Sequence, residues 1–265
     1  KYLQSPFLKR INSLANQKSI LEYLQNNRII SSSMIQRQKH VEFISELVLS
    51  IQNEGPIDKK NAIDRSMESG VLTGSQLNKS IKEFNETLKL IKKVFPDIVS
   101  TRFNGLADFY TLFLLVWRWR YKKKKVLANY NTNRLLNAYL IEFGNQCDIV
   151  KRQRDSYQID KSKDTLIYIN YLMTVQSSTD SINQRRNREK ILMEVFDFTL
   201  ETKDPFRNFN SEQRRLLWNN SNKRCSICNR KLTFNNFHAD HIKPYAKGGK
   251  TILSNAQVLC AEHNI

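Results

Sequence analysis

The sequence predicts a mainly α-helical protein, with a multi-helix domain over residues 1–203 and a much smaller domain over residues 204–265. Three observations carry this. Apolar residues recur at helical spacing through the first two hundred positions. Asp204-Pro205 then breaks that pattern and reads as the start of a linker. Beyond it, three of the four cysteines and three of the four histidines crowd between Cys225 and Asn264.

Composition bounds the class. At 265 residues and 40% hydrophobic, the chain can bury a core. It carries 43 Lys and Arg against 25 Asp and Glu, a net charge of +18 that suggests a polyanionic partner, most simply nucleic acid. From Ser211 onward there are nine basic and three acidic residues, leaving 34 against 22 upstream, so the positive charge is spread along the chain. Cys147 has no partner pattern and reads as buried. Without disulfide signals, a reducing cytoplasm is the expected location. No signal peptide is seen, and the longest apolar run, Thr111 to Trp117, is too short to span a bilayer, so no membrane partner is expected. The chain lacks an initial Met and stops just past the last motif residue, and so reads as a fragment.

The helices follow in order. Ser5-Pro6 starts the first, with Leu8, Ile11 and Leu14 and then Ile20, Leu21 and Leu24 at helical spacing. A second runs from about Ile35 to Gln52 and ends at Gly55-Pro56. A short polar helix is expected from Asp58 to Met67, then a break near Gly70 and Gly74. Gln76 to Phe95 shows the clearest stripe, Leu77, Ile81, Phe84, Leu88, Ile91 and Phe95. Leu106 to Trp119 is apolar nearly all round and predicts a central buried helix. Asn133 to Phe143 is amphipathic, Lys151 to Asp164 reads as a surface loop, and Thr165 to Val175 as helix. Ser181 to Leu200 predicts a helix burying Ile191, Leu192, Val195 and Phe196.

Two basic runs in this region are candidate nucleic-acid contacts. Arg118, Arg120, Lys122, Lys123, Lys124 and Lys125 interleave with Trp119 and Tyr121, a pattern that grips phosphates and stacks a base, or else marks a solvated helix end. Arg185, Arg186 and Arg188 sit early in a helix, where they oppose its dipole and so serve a partner or simply a solvated face. Lys243 and Lys247 are further candidates in the small domain.

The small domain opens with a helix capped by Asn210 or Ser211. Cys225-x-x-Cys228 is a zinc knuckle, and Cys260-x-x-His263 supplies a second pair that closes a tetrahedral, structural site. Zinc would supply stability that so short a segment cannot draw from a core of its own. Between the pairs, His238-Ala239-Asp240-His241-Ile242 reads as a strand with His238 and Asp240 on one face and His241 on the other. Pro244 ends it, Gly248-Gly249 turns, and Asn255 opens Ala256 to Leu259, expected to be a helix carrying Cys260. A hard carboxylate beside an imidazole suits a divalent oxygen-binding ion and a base.

The ordered set Cys-x-x-Cys, Asp-His, Pro, Gly-Gly, Asn and Leu-Cys-x-x-His-Asn, over about Ser211 to Asn264, resembles an HNH endonuclease domain of the ββα-metal class. The resemblance implies that His241 is the general base, that Asp240 holds a catalytic Mg²⁺ or Mn²⁺, and that Asn255 orients His241. Many members end Cys-x-x-Cys-His. Here the ungapped match puts His263 on zinc and Asn264 in the place of the catalytic-metal histidine. The other placement puts His263 on the catalytic ion and leaves zinc short of a ligand. His238 is an extra candidate for that ion, for a phosphate, or for a structural role.

Upstream, Arg37-Gln38-Lys39-His40-Val41-Glu42-Phe43 resembles the helical region of GmrSD-like restriction proteins, which begin with a ParB-like nucleotide-binding domain. That domain's Asp-Gly-Gln-Gln-Arg motif is absent here, so a nucleotide-binding regulatory domain or partner subunit is an implied partner. The expected function is therefore a metal-dependent DNA endonuclease in restriction or antiviral defence, with RNA left open as substrate. The rival is a zinc-knuckle nucleic-acid-binding module, or a scaffold in a defence complex, whose catalysis has lapsed.

Overall fold

A computed structural model describes residues 5–59, 61–63, 74–127, 130–155, 163–196, 200 and 204–264. The chain divides into two compact units, Lys1–Lys122 with Asn131–Thr199, and Lys123–Tyr130 with Leu200–Ile265.

The first unit is built of helices: α1 Pro6–Ala15, α2 Lys18–Asn26, α3 Ser32–Gln36, α4 Lys39–Gln52, α5 Gly74–Val94, α6 Leu106–Tyr121, α7 Tyr130–Asp155, α8 Lys163–Thr174 and α9 Ile182–Phe196. Pro6 opens α1 as expected. The single helix expected over Ile35 to Gln52 is two helices. Gln38 lies between them in the left-handed region at φ 57°, and Ser31 caps α3 by accepting from the Met34 N–H. A right-handed helix cannot pass through such a residue. The stripe of α5 is as predicted except at Ile81, which is half-buried while Ser80 and Thr87 are buried. The loop expected over Lys151 to Asp164 is helical at both ends, where α7 runs on to Asp155 and α8 begins at Lys163; residues 156–162 lie outside the described residues. Residues 59 and 61–63 are helical, whereas 60 and 64–73, including Gly70, lie outside the described residues.

Helix α6 is the centre, packed against α4, α5 and α9. Phe109, Leu112, Phe113, Leu115, Val116 and Trp119 are each 0% exposed. Burial of each such side chain is worth about 1.5–3 kcal/mol. Rings interlock across the helices, with Phe43 6.1 Å from Phe109 and Phe84 5.3 Å from Phe113. No described helix is long and apolar enough to cross a membrane.

The basic runs turn inward. Arg185 is buried, with Nη2 donating to Glu46 Oε2 at 2.6 Å, Nη1 to the Ile57 carbonyl at 3.1 Å, and its guanidinium 3.9 Å from the Tyr110 ring centre. Arg188 is also buried and donates to Thr111 Oγ1 at 3.1 Å and to the carbonyls of Thr174 at 2.5 Å and Thr179 at 2.7 Å. A buried charge persists only when paired and hydrogen-bonded, and these two tie α9 to α4, α6 and the end of α8. They are therefore structural, and of the three arginines proposed as a DNA face only Arg186 is exposed.

At the end of α6 the expected base stacking fails, whereas part of the charge stays at the surface. Trp119 is 0% exposed, so it cannot stack a base. Arg118 donates to Glu189 Oε1 at 2.8 Å, Lys122 pairs with Glu54, and Tyr121 donates to Glu86 Oε2 at 2.6 Å. Arg120, Lys122 and Lys124 are exposed, and Lys123 and Lys125 half-buried. Lys125 donates to the Leu200 carbonyl at 2.9 Å.

Among its described residues the second unit contains one α-helix, α10 Ser211–Asn220, and two strands, β1 His238–His241 and β2 Ala256–Leu259, paired antiparallel with His238 opposite Leu259 and His241 opposite Ala256. Asn210 caps α10 through a reciprocal pair: its Oδ1 accepts from the Gln213 N–H at 2.8 Å, and its own N–H donates to Gln213 Oε1 at 2.9 Å. The helix expected over Ala256 to Leu259 is β2. Four residues make barely one helical turn, whereas pairing with β1 satisfies their backbone groups. After β2 the described chain holds a single 3-10 turn, Ala261–His263. Asp204, expected to begin a linker, is instead built into this unit, its carboxylate accepting from the N–H groups of Phe206 at 2.9 Å and Thr251 at 3.1 Å. Those two N–H groups, Phe206 first, hold the Asp204 carboxyl below the usual carboxylate range.

Candidate functional site

The two ligand pairs converge. Cys225 and Cys228 sit on a tight turn in which the Cys225 N–H donates to the Arg230 carbonyl and the Asn229 N–H to the Cys225 carbonyl, each at 2.9 Å. Asn229 closes the turn in the left-handed region at φ 60°, which Asn tolerates better than most residues. Cys260 leaves β2, and the 3-10 turn brings His263 back, its N–H donating to the Cys260 carbonyl at 3.1 Å. The four ligand atoms lie within 4.8 Å of one another. Cys260 Sγ is 3.2 Å and Cys225 Sγ 3.7 Å from His263 Nδ1, and Cys228 Sγ is 3.9 Å from Cys260 Sγ. A tetrahedral zinc with Zn–S near ~2.3 Å has ligand edges of about 3.8 Å, so the donors and their spacing fit zinc.

The electrostatics point the same way. Burial opposes ionisation of Cys225, yet N–H groups of Cys228, Cys260 and Ile227 aimed at its sulfur bring it down to about 5. At Cys228 the Arg230 N–H favours the thiolate, but burial and the neighbouring sulfurs raise it. Thiolates this close ionise together only around a cation.

A second set of side chains meets beside this cluster. The Ser226 N–H donates to the Val258 carbonyl at 2.8 Å, which ties the knuckle to β2 and so to β1. On β1, His241 is buried, with Nε2 3.0 Å from Thr251 Oγ1 and its ring tilted against those of Phe209 at 4.6 Å and Tyr245 at 5.8 Å. Asp240, His241 and Asn264 line one cavity of about 600 Å³, together with Arg207, Phe209 and Arg214. Of the two placements left open by the sequence, the structure has His263 in the sulfur cluster and Asn264 in the cavity. His238 is exposed and outside the described cavity lining.

The partners of Asn255 differ from those expected. Its Oδ1 accepts from the Lys243 N–H at 2.8 Å, and its Nδ2 donates to the carbonyls of Lys243 at 3.2 Å and Lys250 at 2.9 Å. Its side chain braces the loop between the strands, and its own carbonyl accepts from the N–H of Ile242, next to His241, at 2.9 Å. Gly249 is demanded there, because a Cβ would lie 1.8 Å from the Lys243 carbonyl oxygen. Lys243 and Lys247 are exposed on the same loop.

Sequence reasoning missed Thr251, Asp204, Arg207, Phe209 and Arg214. Arg214 stacks its guanidinium 4.5 Å from the Phe237 ring and donates to the Phe237 carbonyl at 3.3 Å, one of its five donors. Thr251 carried one faint signal, its place just after Gly-Gly. Asp204, Arg207 and Phe209 precede the motif and carried none, and Arg214 lies in the helix ahead of the cysteines with nothing to mark it. The larger cavity of the helical unit, about 1110 Å³, is lined by opposed charges, where Lys59 pairs with Glu42 at 2.9 Å. Among the described residues the Cys225, Cys228, Cys260 and His263 group is the one metal-type cluster.

Residues 225–264 match a family model described as HNH endonuclease. No curated protein and no solved structure matches the chain.

Proposed function

We propose that the C-terminal unit is a metal-dependent endonuclease that hydrolyses phosphodiester bonds in DNA. The observation that carries this is the cavity in which Asp240, His241 and Asn264 meet, within the stretch that matches HNH endonucleases. His241 takes the proton from the attacking water, a task suited to an imidazole at neutral pH. Arg207 and Arg214 offer guanidinium donors to the phosphate. The carboxylate of Asp240 and the amide oxygen of Asn264 are hard donors of the kind Mg²⁺ and Mn²⁺ take, with water filling the remaining positions. Such an ion, when bound, would offset charge on the phosphate and the leaving oxygen. The zinc cluster does no chemistry; it holds β1, β2 and the knuckle in register. A role in restriction or antiviral defence rests on the likeness of the helical region to GmrSD-like proteins alone.

The test is cleavage of supercoiled plasmid by wild type and His241→Ala, with Mg²⁺ or Mn²⁺ and with EDTA. Wild type is expected to nick or linearise the DNA in metal only. His241→Ala should lose about 10²–10⁴-fold, the usual worth of a general base, with zinc content unchanged. Salt-sensitive DNA binding without cleavage in any metal would overturn the reading in favour of a binding module, and cleavage of RNA in place of DNA would move the substrate.

A further inference from the structure

We propose that Thr251 is a positioning residue that locks His241 in its Nε2–H tautomer, so that the lone pair used for catalysis is on Nδ1. This rests on reading His241 as the base. A neutral imidazole has one N–H donor and one acceptor nitrogen, and which is which follows from the bond the ring makes. His241 Nε2 lies 3.0 Å from Thr251 Oγ1. A hydroxyl has a single proton, and that of Thr251 goes to the Phe206 carbonyl, which can only accept. Thr251 Oγ1 is therefore an acceptor toward the ring, and Nε2 must carry hydrogen. The Tyr245 hydroxyl, on a ring 5.8 Å from that of His241, has its proton committed elsewhere, since it donates to the Asp204 carbonyl at 2.6 Å.

Thr251 cannot easily turn away. Its N–H donates to Asp204 Oδ2 at 3.1 Å, and its carbonyl accepts from Gln213 Nε2 at 2.9 Å. Asp204 Oδ1 also accepts from the Phe206 N–H at 2.9 Å, which fixes the peptide whose neighbouring carbonyl takes the threonine proton. At 5% exposed, Thr251 is shielded from water that could replace these partners. Asp204, Phe206 and Gln213 all precede the stretch that matches the family model. The segment ahead of the motif thus sets which nitrogen of the base is free, and the motif by itself does not.

The experiment uses the full, zinc-loaded chain with ¹⁵N-labelled histidine. Long-range ¹H–¹⁵N spectra distinguish a protonated ring nitrogen from a bare one, and the His241→Ala spectrum assigns the signals. Wild type and Thr251→Ser should show a protonated Nε2 and a bare Nδ1. Thr251→Val, which keeps the shape but removes the acceptor, should show mixed tautomers. Its kcat on plasmid should fall ~10- to 100-fold, the range for residues that orient a functional imidazole, with KM unchanged and Thr251→Ser restoring the rate. A protonated Nδ1 in wild type overturns the proposal, and so does Thr251→Val that keeps the single Nε2–H form. Should Thr251→Val fail to fold, the wild-type spectrum alone still decides. The spectra are taken without DNA, so a wild type that cuts nothing sinks the nuclease reading but leaves the tautomer result to be read on its own.

Discussion

In the helical unit, order comes from apolar volume. Helix α6 is enclosed on several sides, with Phe113, Leu115, Val116 and Trp119 at 0% exposed, and cations such as Arg185 and Arg188 are drawn inside and paired. In the C-terminal unit, the buried cluster comprises Trp218, Leu232, Phe237, Val258 and Leu259 with the sulfurs of Cys225 and Cys260. So few side chains cannot hold a domain alone. The four-ligand cluster stands in for the missing core. The two units should therefore fail for different reasons, and the contrast can be broken or sharpened experimentally.

The largest effect is expected at the metal cluster. Structural zinc contributes about 10–16 kcal/mol of apparent binding free energy in small zinc modules. Cys228→Ser, or chelation of wild type, should therefore release zinc and unfold the second unit while the helical unit stays intact. Far-UV circular dichroism with hydrogen exchange would report this as slow exchange kept in α6 and lost in β1 and β2. If β1 stays protected without zinc, the small apolar cluster is sufficient and the contrast collapses.

A buried arginine tests the other side. Arg185→Ala leaves Glu46, 2% exposed, without its closest partner. Breaking a buried pair costs about 3–5 kcal/mol. The helical unit should melt well below wild type, with zinc content unchanged. Arg186→Ala, one residue on and exposed, should stay within about 0.5 kcal/mol. Should Arg185→Ala instead keep its stability and lose DNA affinity, the basic run faces nucleic acid after all.

This pair also shows what a sequence exposes and what it conceals. The helices of the core were legible because Leu77, Phe84, Leu88 and Ile91 repeat at a period that only a one-sided helix explains. The metal ligands were legible because Cys-x-x-Cys and Cys-x-x-His are local spacings. The fate of Arg185 was not, since it depends on Glu46, 139 positions away. For the same reason Thr251 passed unnoticed: its meaning lies in His241, Asp204 and Phe206 together. Strand β2 was misread because Ala256 to Leu259 is too short to show a period, and its conformation is decided by β1.

Acid should separate the two units, with the smallest effect on the helical side. Zinc ligands must be deprotonated, so metal affinity falls as pH falls and the second unit should open first. In the helical unit the relevant group is Glu42, which pairs with Lys39 at 2.6 Å and Lys59 at 2.9 Å. Burial pushes its carboxyl up, but the two ammonium groups outweigh this and hold it below its ordinary value. A depressed carboxyl contributes stability that is complete above its unfolded pKa, ~4.3, and is lost as pH falls through the folded value. Glu42 is 29% exposed, so the contribution is under about 1 kcal/mol. Glu42→Gln should therefore melt slightly below wild type at pH 7, and the two should converge only once pH has fallen below the folded value, where Glu42 is protonated in both states. A gap that persists unchanged at low pH would mean that Glu42 acts through packing and not through charge.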